Sequence, residues 1–228
     1  MTYALAGRCG RTGAFGACVA TSDIAVGARV PFAEANVGVV LTQHRTDPRL
    51  GPAGLDLLRV GHTAAETVAA LVESTRFGRW RQLAVVDGSG ATASFSGAEV
   101  TTTMAEVHGR ECVAIGNVLS SPCVCEAMVA TFEAAPSETL AERLVRALEA
   151  SRDAGGEQAP ARSSALLVVL DPAMALVDLR SDDDPEPVLA LRRLWDTYAP
   201  WMDEFRLRAV DPDAASSVPP PIQGEGQA

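Results

Sequence analysis

The second residue of the chain has a hydroxyl that can act as a nucleophile and, once it is the first residue, an α-amine that can act as the base. The sequence begins Met1-Thr2-Tyr3, and because Thr2 is small, we expect removal of Met1 to leave a chain that starts with threonine. A threonine hydroxyl is a weak nucleophile, but the α-amine of the same residue, with a reference pKa of about 8, is able to accept its proton. This start predicts acyl transfer at Thr2, although many proteins carry threonine here without such a role.

Acyl transfer also requires donors for the oxyanion that develops on the substrate carbonyl. Asn117 and Gln43 are neutral amides at the ends of predicted strands, and we expect them or nearby backbone amides to supply these donors, with turn stabilisation as the alternative. Ser22 and Asp23 follow the second predicted strand, where they suit either orientation of the α-amine or a turn. The predicted catalytic set is therefore Thr2, Ser22, Asp23 and Asn117.

Two arginines are candidates for binding a substrate carboxylate. A guanidinium binds a carboxylate through two parallel hydrogen bonds, and Arg81 and Arg180 lie at the boundaries of predicted strands. The simpler interpretation is a structural network in which they pair with Asp178 and Asp182. The predicted substrate-binding set is Gln43, Arg81, Asp178 and Arg180.

A Cys–His hydrolase is the alternative enzyme class. Its nucleophile would be one of Cys18, Cys112, Cys123 and Cys125, and its base one of His44, His62 and His108. No local motif supports these combinations, and the small apolar neighbours of Cys18 and Cys112 indicate buried thiols. The spacing of Cys123 and Cys125 does not match a zinc finger, and the acidic run at 182–184 is interpreted as a solvated turn. We expect no metal and no cofactor.

The composition excludes several classes of function. All 19 basic residues are arginines, so the chain lacks the amine required by a Walker-A loop, a Schiff base or a Ser-x-x-Lys site. A net charge of −10 opposes nucleic-acid binding. No run approaches the roughly 18 apolar residues of a membrane span, and the N-terminus does not have the pattern of a signal peptide. We predict a soluble, cytoplasmic protein with reduced thiols.

Hydrophobic periodicity and turn residues predict strands, then helices, then strands, then helices. The predicted strands cover residues 3–9, 14–20, 37–43, 83–86, 92–96, 112–115, 164–170 and 175–179. The predicted helices lie within 52–75, 122–134, 140–148 and 188–198, with a capping box at Thr63 and Glu66 and Ser137 as a further cap. We expect strand 37–43 to join the sheet of the first hairpin and strands 83–115 to form a second set.

This grouping favours an α+β sandwich of antiparallel sheets over an alternating α/β fold. At 228 residues and 47% hydrophobic content, the chain suits one domain with one core. We predict that domain over residues 1–210. Residues 211–228 are rich in Pro, Ser, Gly and Gln and lack periodicity, so we predict a disordered tail there.

Several short segments resemble a known family when they are taken together. They are Met1-Thr2-Tyr3, Val19-Ala20-Thr21-Ser22, Val37-Gly38-Val39-Val40-Leu41-Thr42-Gln43, Gly51-Pro52-Ala53-Gly54-Leu55-Asp56, Gly116-Asn117-Val118-Leu119 and Val177-Asp178-Leu179-Arg180. Over residues 1–199 the chain is similar to the bacterial domain-of-unknown-function family 1028. That resemblance implies the fold of the N-terminal-nucleophile (Ntn) hydrolases, a four-layer αββα sandwich of two antiparallel sheets.

Together, Thr2 and the resemblance predict hydrolysis of a small amide C–N bond with a small-molecule substrate and no nucleic-acid or membrane partner. Besides the Cys–His hydrolase, a catalytically inactive protein with the same fold remains open, acting as a ligand-binding or scaffold subunit and compatible with a homodimer. The state of the N-terminus separates these functions, because the proposed enzyme must expose Thr2 as its first residue.

Overall fold

Within residues 1–171 and 173–216, which the computed structural model describes, the chain has a mixed α+β fold with two antiparallel sheets and helices. The strands are β1 (Thr2–Arg8), β2 (Phe15–Thr21), β3 (Pro31–Glu34), β4 (Gly38–Gln43), β5 (Gln82–Asp87), β6 (Thr92–Ser96), β7 (Met104–Gly109), β8 (Cys112–Asn117), β9 (Ser163–Leu170) and β10 (Met174–Ser181). The helices are α1 (Leu50–Arg59), α2 (Ala64–Ser74), α3 (Cys123–Ala134), α4 (Leu140–Asp153), α5 (Pro187–Tyr198) and α6 (Met202–Val210). Single turns of 3₁₀ helix lie at Val26–Ala28, Gly78–Trp80 and Ala199–Trp201.

The six-stranded sheet has the order β10-β9-β2-β1-β8-β7, with every neighbouring pair antiparallel. The N-terminal hairpin is confirmed, since β1 pairs with β2. Gly13 adopts a φ of 77° in its turn, which glycine reaches without steric cost. The N-terminal strand therefore lies inside this sheet, hydrogen-bonded on both sides.

The four-stranded sheet has the order β3-β4-β5-β6 and corrects two assignments. Strand β4 lies in this sheet and not with the first hairpin, whereas β8 pairs with β1 and leaves the set formed by β5 and β6. An apolar run records that a strand is buried but does not identify its partner. The sequence also did not predict β3, which is short and starts with Pro31, or β7, whose residues are half-exposed at a sheet edge.

Three hydrophobic clusters join the sheets and helices. One lies between the two sheets, a second packs α3, α4 and α5 on the other face of the six-stranded sheet, and a third packs α1 and α2 on the other face of the four-stranded sheet. The capping box of Thr63 and Glu66 is present at α2. The cap of α4 is Thr139 and not Ser137, because Thr139 is extended and its hydroxyl accepts from Glu142 N at 3.2 Å.

The C-terminal part of the described chain contains α6, which the sequence did not predict. After it, Ala214 N donates to Asp211 O, and Ser216 N lies 3.3 Å from a Glu204 carboxylate oxygen. The predicted disorder of 217–228 lies outside the described residues. No helix in the described part of the chain has both the length and the apolar character to cross a bilayer.

Candidate active site

Thr2 is the first residue of β1, and its side chain is buried, with 6% of the residue exposed. Its hydroxyl oxygen lies 3.3 Å from the hydroxyl oxygen of Thr21. Both hydroxyls donate to the carbonyl oxygen of Met1. Met1 is 42% exposed. The peptide bond between Met1 and Thr2 therefore lies against a pair of buried hydroxyls.

Four polar residues form a row across the six-stranded sheet. Asn117 pairs with Thr2, Thr21 pairs with Ser163, and the Thr2 and Thr21 hydroxyls are neighbours. Since directly paired residues of antiparallel strands point to the same face, these side chains share one face. Ser163 Oγ donates to Asp23 O at 2.7 Å and accepts from Val26 N at 3.1 Å.

Two glutamines of the four-stranded sheet complete the buried polar cluster. Gln43 and Gln82 pair across β4 and β5, and both are fully buried. Gln82 Nε2 donates to Gly116 O at 3.0 Å and to Ser96 Oγ at 2.9 Å. Because a backbone carbonyl only accepts, this contact fixes the orientation of the Gln82 amide.

The orientation of Gln82 determines what the neighbouring amides can do. Gln82 Oε1 accepts from Gln43 Nε2 at 2.8 Å and from Asn117 Nδ2 at 3.0 Å. Gln43 Oε1 and Asn117 Oδ1 are buried without a hydrogen-bond partner. The two predicted oxyanion donors thus lie close to Thr2, but each already directs an N–H to Gln82. Both leave an unpaired acceptor, and Asn117 Nδ2 also keeps a second N–H, because an amide nitrogen carries two.

Glu157 is a buried carboxyl group that the sequence analysis missed. It is 8% exposed, its Oε2 accepts from Ser22 N at 3.2 Å, and its Oε1 has no partner. Burial raises the pKa of this carboxyl to about 7, while the N-terminal ammonium and the Ser22 contact act in the opposite direction. Glu157 lies in the loop after α4, where no periodic pattern marks it.

A cavity of about 380 Å³ opens beside Thr2. Its lining residues are Met1, Thr2, Thr21, Asp23, Val26, Arg29, Val30, His44, Arg45, Thr46 and Val118. His44, Arg45 and Val118 adopt φ values of 52°, 44° and 53°. Left-handed backbone is strained for residues other than glycine, above all for β-branched valine, and such strain clusters at functional sites.

The strained wall at His44 and Arg45 is held in place from outside the cavity. His44 Nδ1 is 2.9 Å from Trp80 O, and the two rings stack with centroids 6.3 Å apart. Arg81 donates to the carbonyl of Arg45, and its Nη2 lies 3.6 Å from a carboxylate oxygen of Asp47. Arg81 therefore supports the wall and pairs with Asp47, not with Asp178 or Asp182.

The remaining predicted residues lie in two different places. Asp23 lines the cavity with an 85% exposed side chain, and Ser22 contributes its backbone N–H to Glu157. Asp178 and Arg180 pair with each other at 3.0 Å on β10. That strand is three positions from β1, or about 14 Å at about 4.8 Å per strand. Neither residue lines the cavity beside Thr2.

Within residues 1–171 and 173–216, no hydrogen bond joins a cysteine to a histidine. Cys18, Cys112 and Cys125 are buried, and burial raises the pKa of each thiol to about 12. His44 contacts Trp80 O, and His108 contacts Thr92 and Ser94. Among the described residues, no group of three or more His, Cys, Asp and Glu side chains is arranged to hold a metal ion.

Comparison with known proteins identifies the family. No curated protein matches the chain. Anbu (ancestral beta-subunit) from Yersinia bercovieri is 11% identical, with 90% of this chain and 96% of that chain covered, but its TM-score of 0.38 is too low to establish a shared fold. The crystal structure of protein SPO2555 from Silicibacter pomeroyi, a DUF1028 protein, is 30% identical, covers 89% of this chain and 94% of its own, and has a TM-score of 0.81. The model of the family of unknown function DUF1028 matches residues 2–191, and the chain belongs to this family.

Proposed function

We propose that the chain is an amidohydrolase of the Ntn type, with Thr2 as its nucleophile after removal of Met1. The observation that carries this proposal is the position of the Thr2 hydroxyl. It is buried at the start of an internal strand and lies beside a cavity. The Met1 carbonyl that now lies against the hydroxyls of Thr2 and Thr21 is an acyl group next to the nucleophile.

The chemistry requires only Thr2 and water. Once Met1 is removed, the free α-amine of Thr2 accepts the hydroxyl proton, and Oγ1 attacks the carbonyl carbon of a bound amide. The C–N bond breaks, and the departing nitrogen takes the proton from the Thr2 ammonium. Water then hydrolyses the resulting ester, which releases the acid and restores the hydroxyl. No histidine is needed, in keeping with the engagement of His44 Nδ1 by Trp80 O.

The free acceptors around Thr2 support a site for nitrogen–hydrogen groups. Gln43 Oε1 and Asn117 Oδ1 are buried and unpaired, and an ammonium or a leaving amine donates several N–H groups. Glu157 adds a carboxyl group that interacts with the ammonium of Met1, one residue before the amine that removal of Met1 exposes. In this mechanism these three residues orient the amine of Thr2, and the oxyanion is stabilised by backbone N–H groups of the cavity wall.

The packing supports the finer fold assignment, a four-layer αββα sandwich. One hydrophobic cluster lies between the sheets and one on the outer face of each sheet, under α1 and α2 on one side and α3 to α5 on the other. A cavity of about 380 Å³ is at the small end of ligand sites. We therefore propose a small-molecule amide as the substrate.

The experiment begins with protein in which intact mass confirms the loss of Met1. It is assayed for ammonia or amine release from a panel of linear and cyclic amides. We expect Thr2→Ala to lower activity by at least about 10³-fold, as for other removed nucleophiles, and Thr2→Ser to keep part of it. Cys123→Ser is the matched control at an exposed hydrogen-bonding residue and should remain fully active.

Two other outcomes would each support a different function. Full activity of matured Thr2→Ala, together with loss of activity after thiol alkylation, would assign a Cys–His hydrolase. Binding of amides without turnover by the matured wild type would assign a ligand-binding protein that has lost its chemistry.

A further inference from the structure

The cavity beside Thr2 has a local charge opposite to that of the whole chain. The chain has a net charge of −10, but the cavity is lined by two arginines, Arg29 and Arg45, and by one carboxylate, Asp23. In an acidic protein, a cavity with this charge excess attracts small anions against the general field. The state of each guanidinium shows whether it is free to bind one.

Arg29 is half-buried and pre-oriented. Its Nη1 donates to Ile24 O at 2.6 Å and to Ala25 O at 3.2 Å, which fixes the plane of the guanidinium. Its Nη2 is 3.9 Å from Asp23, whose side chain is largely exposed. A long, exposed ion pair contributes little. The remaining donor edge of Arg29 is therefore available to a ligand carboxylate.

Arg45 is held by an aromatic ring and not by an acid. Its Cζ lies 5.1 Å from the ring centroid of Trp80, and no carboxylate of the described residues forms an ion pair with it. Stacking on a ring leaves the N–H edge of a guanidinium free for bidentate contact. The backbone of Arg45 is strained and is held through its carbonyl by Arg81. The residue lies at the boundary between this cavity and a neighbouring one that it lines together with Phe77, Trp80 and Arg81.

We propose that Arg29 and Arg45 form the carboxylate-binding subsite of this cavity, and that the substrates are small amides that also carry a carboxylate. This inference rests on the proposed function, since it names the substrate class of the same site. It transfers the role considered for Arg81 and Arg180 to two arginines whose donors are not taken by a close carboxylate.

The test separates binding from chemistry. Matured Thr2→Ala protein is titrated by calorimetry with oxamate, malonamate, succinamate and glutaramate, each compared with its neutral diamide. We expect at least one acid to bind at least about tenfold more tightly than its diamide, as for a charge-assisted hydrogen-bonded contact. Added salt should reduce this preference.

Variants then assign the preference to residues. Arg29→Gln and Arg45→Gln, each checked for folding by circular dichroism, should each lower the preference about tenfold, and Arg45→Lys should keep part of it. Arg76→Gln is the matched control, because Arg76 is exposed, also contacts an aromatic ring and does not line the cavity. It should leave the preference unchanged.

Two results would overturn the subsite: no acid among the four binds more tightly than its diamide, or the preference survives both glutamine substitutions. Ammonia release by the matured wild type is measured separately. Acid-selective binding without ammonia release would overturn the nucleophile and leave the subsite standing. Equal ammonia release from acids and diamides would overturn the subsite and leave the nucleophile standing.

Discussion

The space between the two sheets has an apolar region and a polar end, although the same strands build both. Small and branched apolar residues such as Ala6, Ala17 and Val39 fill most of it. At the end where β1 begins, the buried residues are Thr2, Thr21, Gln43, Gln82 and Asn117, each at most 6% exposed. Along β1 the change occurs within one face, since Thr2 is followed on that face by Ala4 and Ala6.

On this difference we base the proposal that the polar end serves function more than stability. A buried amide network gives little net stabilisation over apolar residues of the same shape. This network also leaves Gln43 Oε1 and Asn117 Oδ1 unpaired, which costs free energy. The four predictions that follow concern the polar end, the carboxyl group of Glu157, the apolar region and an exposed pair that lies outside both regions.

The largest effect is expected at Gln82, which is hydrogen-bonded to the other two amides of the polar end. Gln82→Leu removes the acceptor of Gln43 and Asn117 and the donor to Gly116 O. Each orphaned group costs about 1–3 kcal/mol, so we expect the free energy of unfolding to fall by about 3–5 kcal/mol. Urea denaturation measures this loss.

A triple variant is the control for that loss. Replacing Gln43, Gln82 and Asn117 together by leucine removes the whole network and should recover most of the stability, while activity is lost. If the triple variant is no more stable than Gln82→Leu, the polar end stabilises the fold and our comparison is wrong.

The second effect depends on pH and concerns Glu157. Its folded pKa is raised to about 7 from 4.5, so the stabilising contribution of the protonated form is complete below about pH 4.5 and is lost as the pH rises through 7. Above that, the wild type carries the cost of a buried charge. The free energy of unfolding of Glu157→Gln, relative to the wild type, should therefore be higher at pH 8 than at pH 5, by at most about 3 kcal/mol.

Thermal melts at the two pH values measure this difference, with exposed Glu73→Gln as the control. Activity should fall in Glu157→Gln, because its carboxyl orients the Thr2 amine in our mechanism. A melting difference that does not change with pH would contradict the raised pKa.

A smaller effect is expected in the apolar region. Ala6 is fully buried between the sheets, so Ala6→Val must push neighbouring side chains apart, at a cost of about 1–3 kcal/mol. Ala175→Val, at an exposed position of β10, should be nearly neutral. Equal denaturation midpoints for the two variants would show that the sheets are not tightly packed at Ala6.

The smallest effect concerns the predicted substrate residues that lie far from the cavity. Asp178 and Arg180 form an exposed pair, and such pairs contribute about 0–1 kcal/mol. Asp178→Asn should leave ligand binding and activity unchanged and lower stability by less than about 1 kcal/mol. A large increase in KM for this variant would place the substrate on a different face of the protein.

Local patterns were sufficient for most elements of the fold. The hairpin at 10–13, the capping box at Thr63 and the amphipathic helix α4 each depend on neighbours within a few residues. Local patterns failed where the partner of a strand is distant in sequence. The sheet membership of β4 and β8 is one example, because periodicity shows burial and carries no information about pairing.

The sequence by itself determined that a threonine stands second, that a strand follows it, and that the thiols of Cys18 and Cys112 are buried. Only the tertiary structure decided that Asn117, Gln43 and Gln82 meet beside Thr2 and that Glu157 interacts with the N-terminal ammonium. It also decided that Arg81 supports a wall of the cavity, whereas Arg29 and Arg45 line it. The physical reason is range: turn chemistry and helical spacing act over a few residues, whereas the cavity is made where strands from the whole length of the chain end side by side.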